Sequence, residues 1–194
     1  MHIADGILPV GAAAAADALA LGTVSVLSRK IKAAEIPETG LMASALFLAS
    51  LLHFPVAGTS VHLGLYGLAG VLLGPRSVPA VFVALLFQSL LFQHGGLVAL
   101  GVNTVNMGLG ALAAWLLWRA PGRAGAPRAF AAGFAGILVP AALMILEFRL
   151  IGYGRRILFL ALVYVAVAAL EGVLTAAAVA FLRKTEPSLL ETRP

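Results

Sequence analysis

Cysteine is absent from all 194 residues. That excludes disulfides, thiolate metal sites, iron–sulfur clusters and cysteine nucleophiles together, so any metal bound here must be held by nitrogen or oxygen. Charge is also scarce: 11% of residues are charged against 61% hydrophobic, with a mean hydropathy of +1.03. This balance lies far outside that of soluble globular domains and leaves no room for a sizeable soluble domain. No G-x-x-x-x-G-K-[ST] phosphate loop occurs, which excludes the usual route of ATP hydrolysis. A cleaved secretory signal is not expected either. The opening "MHIADGILP" carries Asp5 and no Lys or Arg ahead of the first apolar run, and such signals begin with a basic region.

What remains is apolar sequence in long runs. Stretches at Pro9–Ser28, Leu41–Phe54, His62–Leu73, Val78–Phe92, Leu97–Trp118, Phe130–Phe148 and Ile157–Leu182 are separated by short polar turns. A spanning helix takes about 20 mostly apolar residues. The chain therefore reads as an all-α, polytopic transmembrane bundle of about seven helices, one transmembrane domain over 1–194. Within it, 1–9 form an N-terminal segment, 10–184 the bundle and 185–194 a tail. The second and third stretches are short enough to form a re-entrant pair instead of two crossings, which would leave both chain ends where they are. Ala12, Ala16 and Ala20, four apart, offer the first helix a smooth ridge for packing or for docking a membrane partner.

The net charge of +5 reports topology here, and no nucleic-acid partner is expected. With the first connection facing the cytoplasm, ten basic residues collect inside (Arg29, Lys30, Lys32, Arg76, Arg119, Arg123, Arg128, Arg183, Lys184, Arg193) and three outside (Arg149, Arg155, Arg156). The positive-inside rule then puts the N-terminus outside and the C-terminus in the cytoplasm.

The four histidines, His2, His53, His62 and His94, all fall on the outer side of that topology. Imidazole is the commonest metal ligand and the obvious one left without cysteine. His2 is special by position: the Met1 amine, the deprotonated His2 amide and the His2 ring can close fused chelate rings on one ion. A further histidine would complete a planar set of four nitrogens, which suits Ni(II) and Cu(II) and is open to cobalt. Inside the bundle, Asn103 and Asn106 share a face at a helix start beside Thr104, either as interhelical glue or as partners of the site. Glu171, mid-span, is a functional candidate because an ionised carboxylate there is costly unless paired. Asp17 and Glu147 have weaker claims, Glu147 reading as a helix-end pair with Arg149.

Four segments in order, "MHIADGILP", "HFPVAGTSVHLGLYGLAGVLLGP", "QHGGLVALGVNTVNMG" and "ALEGVLTAAAVAFL", resemble the CbiM/NikM family, the substrate-specific membrane components of energy-coupling-factor transporters for cobalt and nickel. The resemblance implies a metal held by the Met1 amine, the His2 amide and ring nitrogens and the ring of His62, with the N-terminal segment folded into the bundle from outside. It implies hydrogen-bonding support of those ligands by Asn103, Asn106 and Thr104. His53, standing where many members have Asn, and His94 are possible additional ligands or supports, and Ser60 lies in the same segment. Ala4 stands where many members have Pro, which loosens the loop. The transported ligand would be Ni(II) or Co(II), without a resident cofactor. The implied partners are a transmembrane coupling subunit, two cytoplasmic ATPase subunits and a small accessory membrane subunit, in a prokaryotic cytoplasmic membrane. Two other readings stay open at this level: an intramembrane hydrolase using Ser60 or Thr59 with His62, His53 or His94, and a self-sufficient metal channel or carrier.

Overall fold

Long apolar runs punctuated by Gly, Pro and charge fold as helices, because in hydrocarbon every backbone group must find its partner within its own segment. A computed structural model describes residues 2–51, 53–56, 59–122, 124–152 and 157–190, with the backbone alone at 53–56, 59 and 60. The helices are α1 (Val10–Ser28), α2 (Ile36–Leu51), α3 (Tyr66–Leu73), α4 (Ser77–Phe92), α5 (Leu100–Arg119), α6 (Ala126–Leu150) and α7 (Ile157–Thr185). Among the described residues, five helical stretches are long and apolar enough to cross a membrane by length and composition: α1, the stretch Tyr66–Phe92 (which contains α3 and α4), α5, α6 and α7. Helix α2 falls short of that length.

The expected re-entrant region is the part that departs most from the sequence reading. Between α2 and α3 the chain forms a two-stranded antiparallel ladder, His53–Val56 against Thr59–His62, with His53 opposite His62. The fold is thus helical with one short hairpin rather than purely α. The tight turn Gly74–Arg76 then joins α3 to α4. Gly70 abuts Ala111 and Ala114 of α5 and Gly74 abuts Trp115, yet Val78 lies back beside Gly108. The chain therefore reverses along α5 at this turn, and α3 descends only half the depth that α4 climbs.

Helices α3, α5 and α6 meet at glycines. A Cβ on Gly67 would collide with the Gly133 backbone, and one on Gly136 with Gly67. Without side chains at these points the backbones close up and gain dispersion contact, the means by which helices associate where lipid is as apolar as leucine. The core around this junction holds Ile3, Tyr66, Met107, Ile137, Met144, Phe148 and Tyr164. Outside it, Leu19, Leu21, Leu116, Leu158, Leu162 and Phe181 face outward, as a lipid-facing surface requires.

Helix α1 packs through Ala13 and Ala20 and through Asp17, whose carboxylate accepts from Gly101 N–H at 2.7 Å. Ala16 and Ala20 pack inward, whereas Ala12 is exposed and Ala13 takes its place. The described part of the tail packs back on the bundle: Thr185 ends α7, and Leu190, in the turn Pro187–Leu190, packs on the cluster of Val71, Trp118 and Val179.

Candidate metal centre

Residues 2 to 9 precede α1, and the chain there is anchored at its tip rather than frayed, with residues 4–6 exposed. His2 is 5% exposed and Ile3 fully buried. Asn103, near the start of α5, grips the segment by both backbone polar groups of one residue, Ile3. Ile3 N–H donates to Asn103 Oδ1 at 2.8 Å, and Asn103 Nδ2 donates to Ile3 C=O at 2.9 Å. Two residues on, Asp5 accepts from Leu97 N–H at 3.1 Å and Ala99 N–H at 2.8 Å. Those amides lie just ahead of α5, where donors are orphaned and the helix dipole favours a carboxylate. The turn between α4 and α5 is shaped for this arrival. Gly95 and Gly96 have φ of +91° and +87°, and a Cβ on Gly96 would occupy the Asp5 carboxylate.

Three imidazoles converge where this segment ends. His2 Nδ1 lies 3.1 Å from His62 Nε2. The ring centroids of His2 and His94 are 4.2 Å apart and those of His62 and His94 5.6 Å. One nitrogen from each of the three falls within 4.8 Å of the others. The opposite nitrogen of His62, Nδ1, donates to Leu63 C=O at 2.8 Å. A carbonyl only accepts, so this bond fixes the tautomer and turns the lone pair of Nε2 toward His2. Two nitrogens bound in cis at about 2.0–2.1 Å from one ion stand roughly 2.8–3.0 Å apart, close to the separation already present. Burial, then the neighbouring His62 and His94 rings, hold the His2 imidazole well below its ordinary pKa, with Gln88 pulling weakly the other way. Neutral imidazole is the form that binds metal.

Glu171 hydrogen-bonds to the backbone beyond His62 rather than to a ring. Its carboxylate accepts from Gly64 N–H at 2.5 Å and Leu65 N–H at 3.1 Å. Leu65 has a φ of +51°, so α7 pins the turn by which the chain leaves His62 and enters α3. Asn106 does not share the work of Asn103: its Nδ2 donates to Glu147 Oε2 at 2.9 Å, tying α5 to α6. Glu147 is thereby a partner of Asn106 rather than of Arg149. Thr104 donates its hydroxyl to Leu100 C=O of its own helix at 2.7 Å. Met1 and the side chains of His53 and Ser60 lie outside the described residues. Sequence reasoning passed over Asp5 as a cap and Gln88 as a neighbour of His2. A carboxylate a few residues from a chain end and an amide in an apolar helix were the available signals, and neither names its partner.

The family description "Cobalt uptake substrate-specific transmembrane region", CbiM, matches residues 2–189. The chain belongs to the CbiM family. It is 40% identical to the cobalt transport protein CbiM of Geobacter sulfurreducens over 98% of this chain and 61% of that one. Against CbiM of Sorangium cellulosum the identity is 38%, over 98% of this chain and 95% of the relative. A putative fused nickel transport protein NikMN of Archaeoglobus fulgidus is 30% identical over the whole of this chain and 69% of its own length. The chain thus spans about three fifths of the Geobacter protein and nearly all of the Sorangium one. A solved transition metal transporter shares the fold, with a TM-score of 0.85 and 22% identity over 96% of this chain and 94% of that one. CbiM membership, together with the five membrane-length stretches among the described residues, makes this a multi-pass prokaryotic membrane protein of a family described for cobalt uptake rather than for catalysis. The hydrolase reading of Ser60 and His62 is dropped on that ground.

Proposed function

We propose that this CbiM-family chain captures Ni(II) or Co(II) from outside the cell. The ligands are the Met1 amine, the His2 amide and Nδ1 and the His62 Nε2, with His94 standing over the ion as a further ligand or a cover. The observation that carries this reading is the 3.1 Å approach of His2 Nδ1 to His62 Nε2 beside a third imidazole. The first relatives are named for cobalt and nickel transport, which supports the choice of cargo. A nitrogen site alone would prefer Cu(II) over Ni(II) over Co(II), so discrimination falls to a rigid geometry and to metal supply.

The N-terminal segment enters the bundle from the outer face, and Asn103 and Asp5 seat it. The excess of Lys and Arg at the other end supports an outside N-terminus and a cytoplasmic C-terminus. ATP hydrolysis comes from partner subunits: a transmembrane coupling protein with two ATPases, with or without a small accessory membrane subunit. Release inward then requires a second state in which the segment is withdrawn from Asn103, because an ion moves an equilibrium only by its differential affinity for the two states.

The test compares nickel and cobalt content of protein carrying an added N-terminal peptide with that of protein extended at the C-terminus. The N-terminal extension removes the primary amine and is expected to abolish occupancy, while the other leaves it intact. Equal occupancy in both would refute the chelate. His2→Ala and His62→Ala are each expected to abolish binding, and His94→Ala to weaken it.

A further inference from the structure

At the end of the bundle away from the histidines, the C-terminal ends of α1, α3 and α5 enclose a cavity of about 330 Å³. Its wall is apolar, built by Leu27, Val71, Leu73 and Trp115, and its rim is cationic, with Lys30, Lys32, Arg76 and Arg119. Only one of these four cations is neutralised. Arg76 pairs with Glu38 at 3.1 Å and Glu35 at 3.8 Å, and Glu35 also accepts from the Lys32 backbone N–H at 2.9 Å. The one carboxylate on the rim is therefore already committed. Arg119 lies over the Trp115 indole, 5.2 Å from its centroid, a contact that orients the guanidinium and leaves its charge in place. Among the described residues, no ion pair holds Lys30, Lys32 or Arg119. The three helix C-termini offset about half a charge each, so the rim stays positive.

We infer that this cavity binds the phosphate headgroup of an anionic phospholipid. The match is to an amphiphile: phosphate oxygens against Lys30, Lys32 and Arg119, and the glycerol and first methylenes against Leu27, Val71 and Trp115. A free anion would gain nothing from the apolar wall. The location fits as well, since the cavity sits at the ends of membrane-length helices, on the end richest in Lys and Arg. In the orientation proposed above, on which this part of the inference rests, that end faces the anionic leaflet, where basic pockets between helices take up lipid headgroups.

The test is native mass spectrometry of the full chain in detergent, titrated separately with phosphatidylglycerol, phosphatidylcholine and inorganic phosphate. Wild type is expected to retain phosphatidylglycerol well above phosphatidylcholine. Each cation removed should cost about fivefold, so the Lys30→Ala, Lys32→Ala, Arg119→Ala triple variant should lose about a hundredfold. Replacing Arg29 and Lys184, exposed basic residues outside the cavity, should change nothing. A charge-keeping variant, Lys30→Arg with Lys32→Arg, should retain the lipid and guards against loss of fold. Equal retention of the two lipids, undiminished retention in the triple variant, or binding of inorganic phosphate with no preference for the lipid would each overturn the assignment.

Discussion

Asn103 and Ile3 hold each other across 100 residues of sequence by a reciprocal pair of hydrogen bonds, 2.8 and 2.9 Å long. Neither partner is a metal ligand in the proposed site, yet this pair fixes where the adjacent His2 lies. Asn103→Ala leaves a buried peptide N–H and C=O without partners, at about 1–3 kcal/mol each. Nickel affinity is expected to fall by roughly 10- to 100-fold, the usual cost of losing a group that orients a ligand. Calorimetric titration checks this, and unchanged affinity would separate the clamp from the site.

Gly96 supplies a turn that no other residue fits comfortably. Its φ of +87° and the Asp5 carboxylate occupying the Cβ direction make Gly96→Ala costly on both counts, by about 1–3 kcal/mol from backbone strain before the collision is added. The melting temperature in detergent should drop and metal binding weaken with it. Asp5→Asn keeps an acceptor for one amide and should be the milder change. The reverse order would contradict the capping role of Asp5.

Glu171 acts on the backbone beyond His62. Glu171→Leu strands the Gly64 and Leu65 amides in the core and is expected to lower thermal stability and reduce nickel affinity more than tenfold. Glu171→Gln retains a carbonyl acceptor and should bind nickel within several-fold of wild type. If Gln proved as damaging as Leu, the negative charge itself would be required.

Acid should empty the site. The buried His2 stays neutral below its ordinary pKa, whereas a withdrawn His2 picks up a proton below about pH 6.5. As pH falls under that value, each unit favours the withdrawn, metal-free segment by up to about 1.4 kcal/mol, and protonation of the other nitrogen donors steepens the loss. Nickel affinity measured from pH 8 to 5 is expected to fall at least tenfold per unit through the lower part of that range. A flat profile would rule out imidazole ligation by His2.

The long apolar runs were legible in the sequence: Pro9–Ser28 became α1 (Val10–Ser28), and Ile157–Leu182 became α7 (Ile157–Thr185). The histidine cluster was legible too, because imidazoles are rare and conspicuous in such a chain. Helix orientation was not, as α1 shows. A helix facing lipid on one side and protein on the other is apolar all round, so nothing distinguished Ala13 from Ala12 as the packing residue. The polar pairs escaped for another reason. Asp5 with Ala99, Asn106 with Glu147, and Glu171 with Gly64 are each joined across 41 to 107 residues, and one sequence displays the groups without their pairing. The strands His53–Val56 and Thr59–His62 were hidden because four residues are too few to show a period and Pro55 argues against a strand.

The grip of Asn103 on Ile3 also orders events during synthesis. At about 5–20 residues per second, the ribosome completes Asn103 some 5–20 s after Ile3, the two lying 100 positions apart. Until α5 has entered the bilayer, the leading segment has no seat, and the metal site proposed above stays incomplete. Assembly of that site thus comes late in synthesis, set by chain order alone.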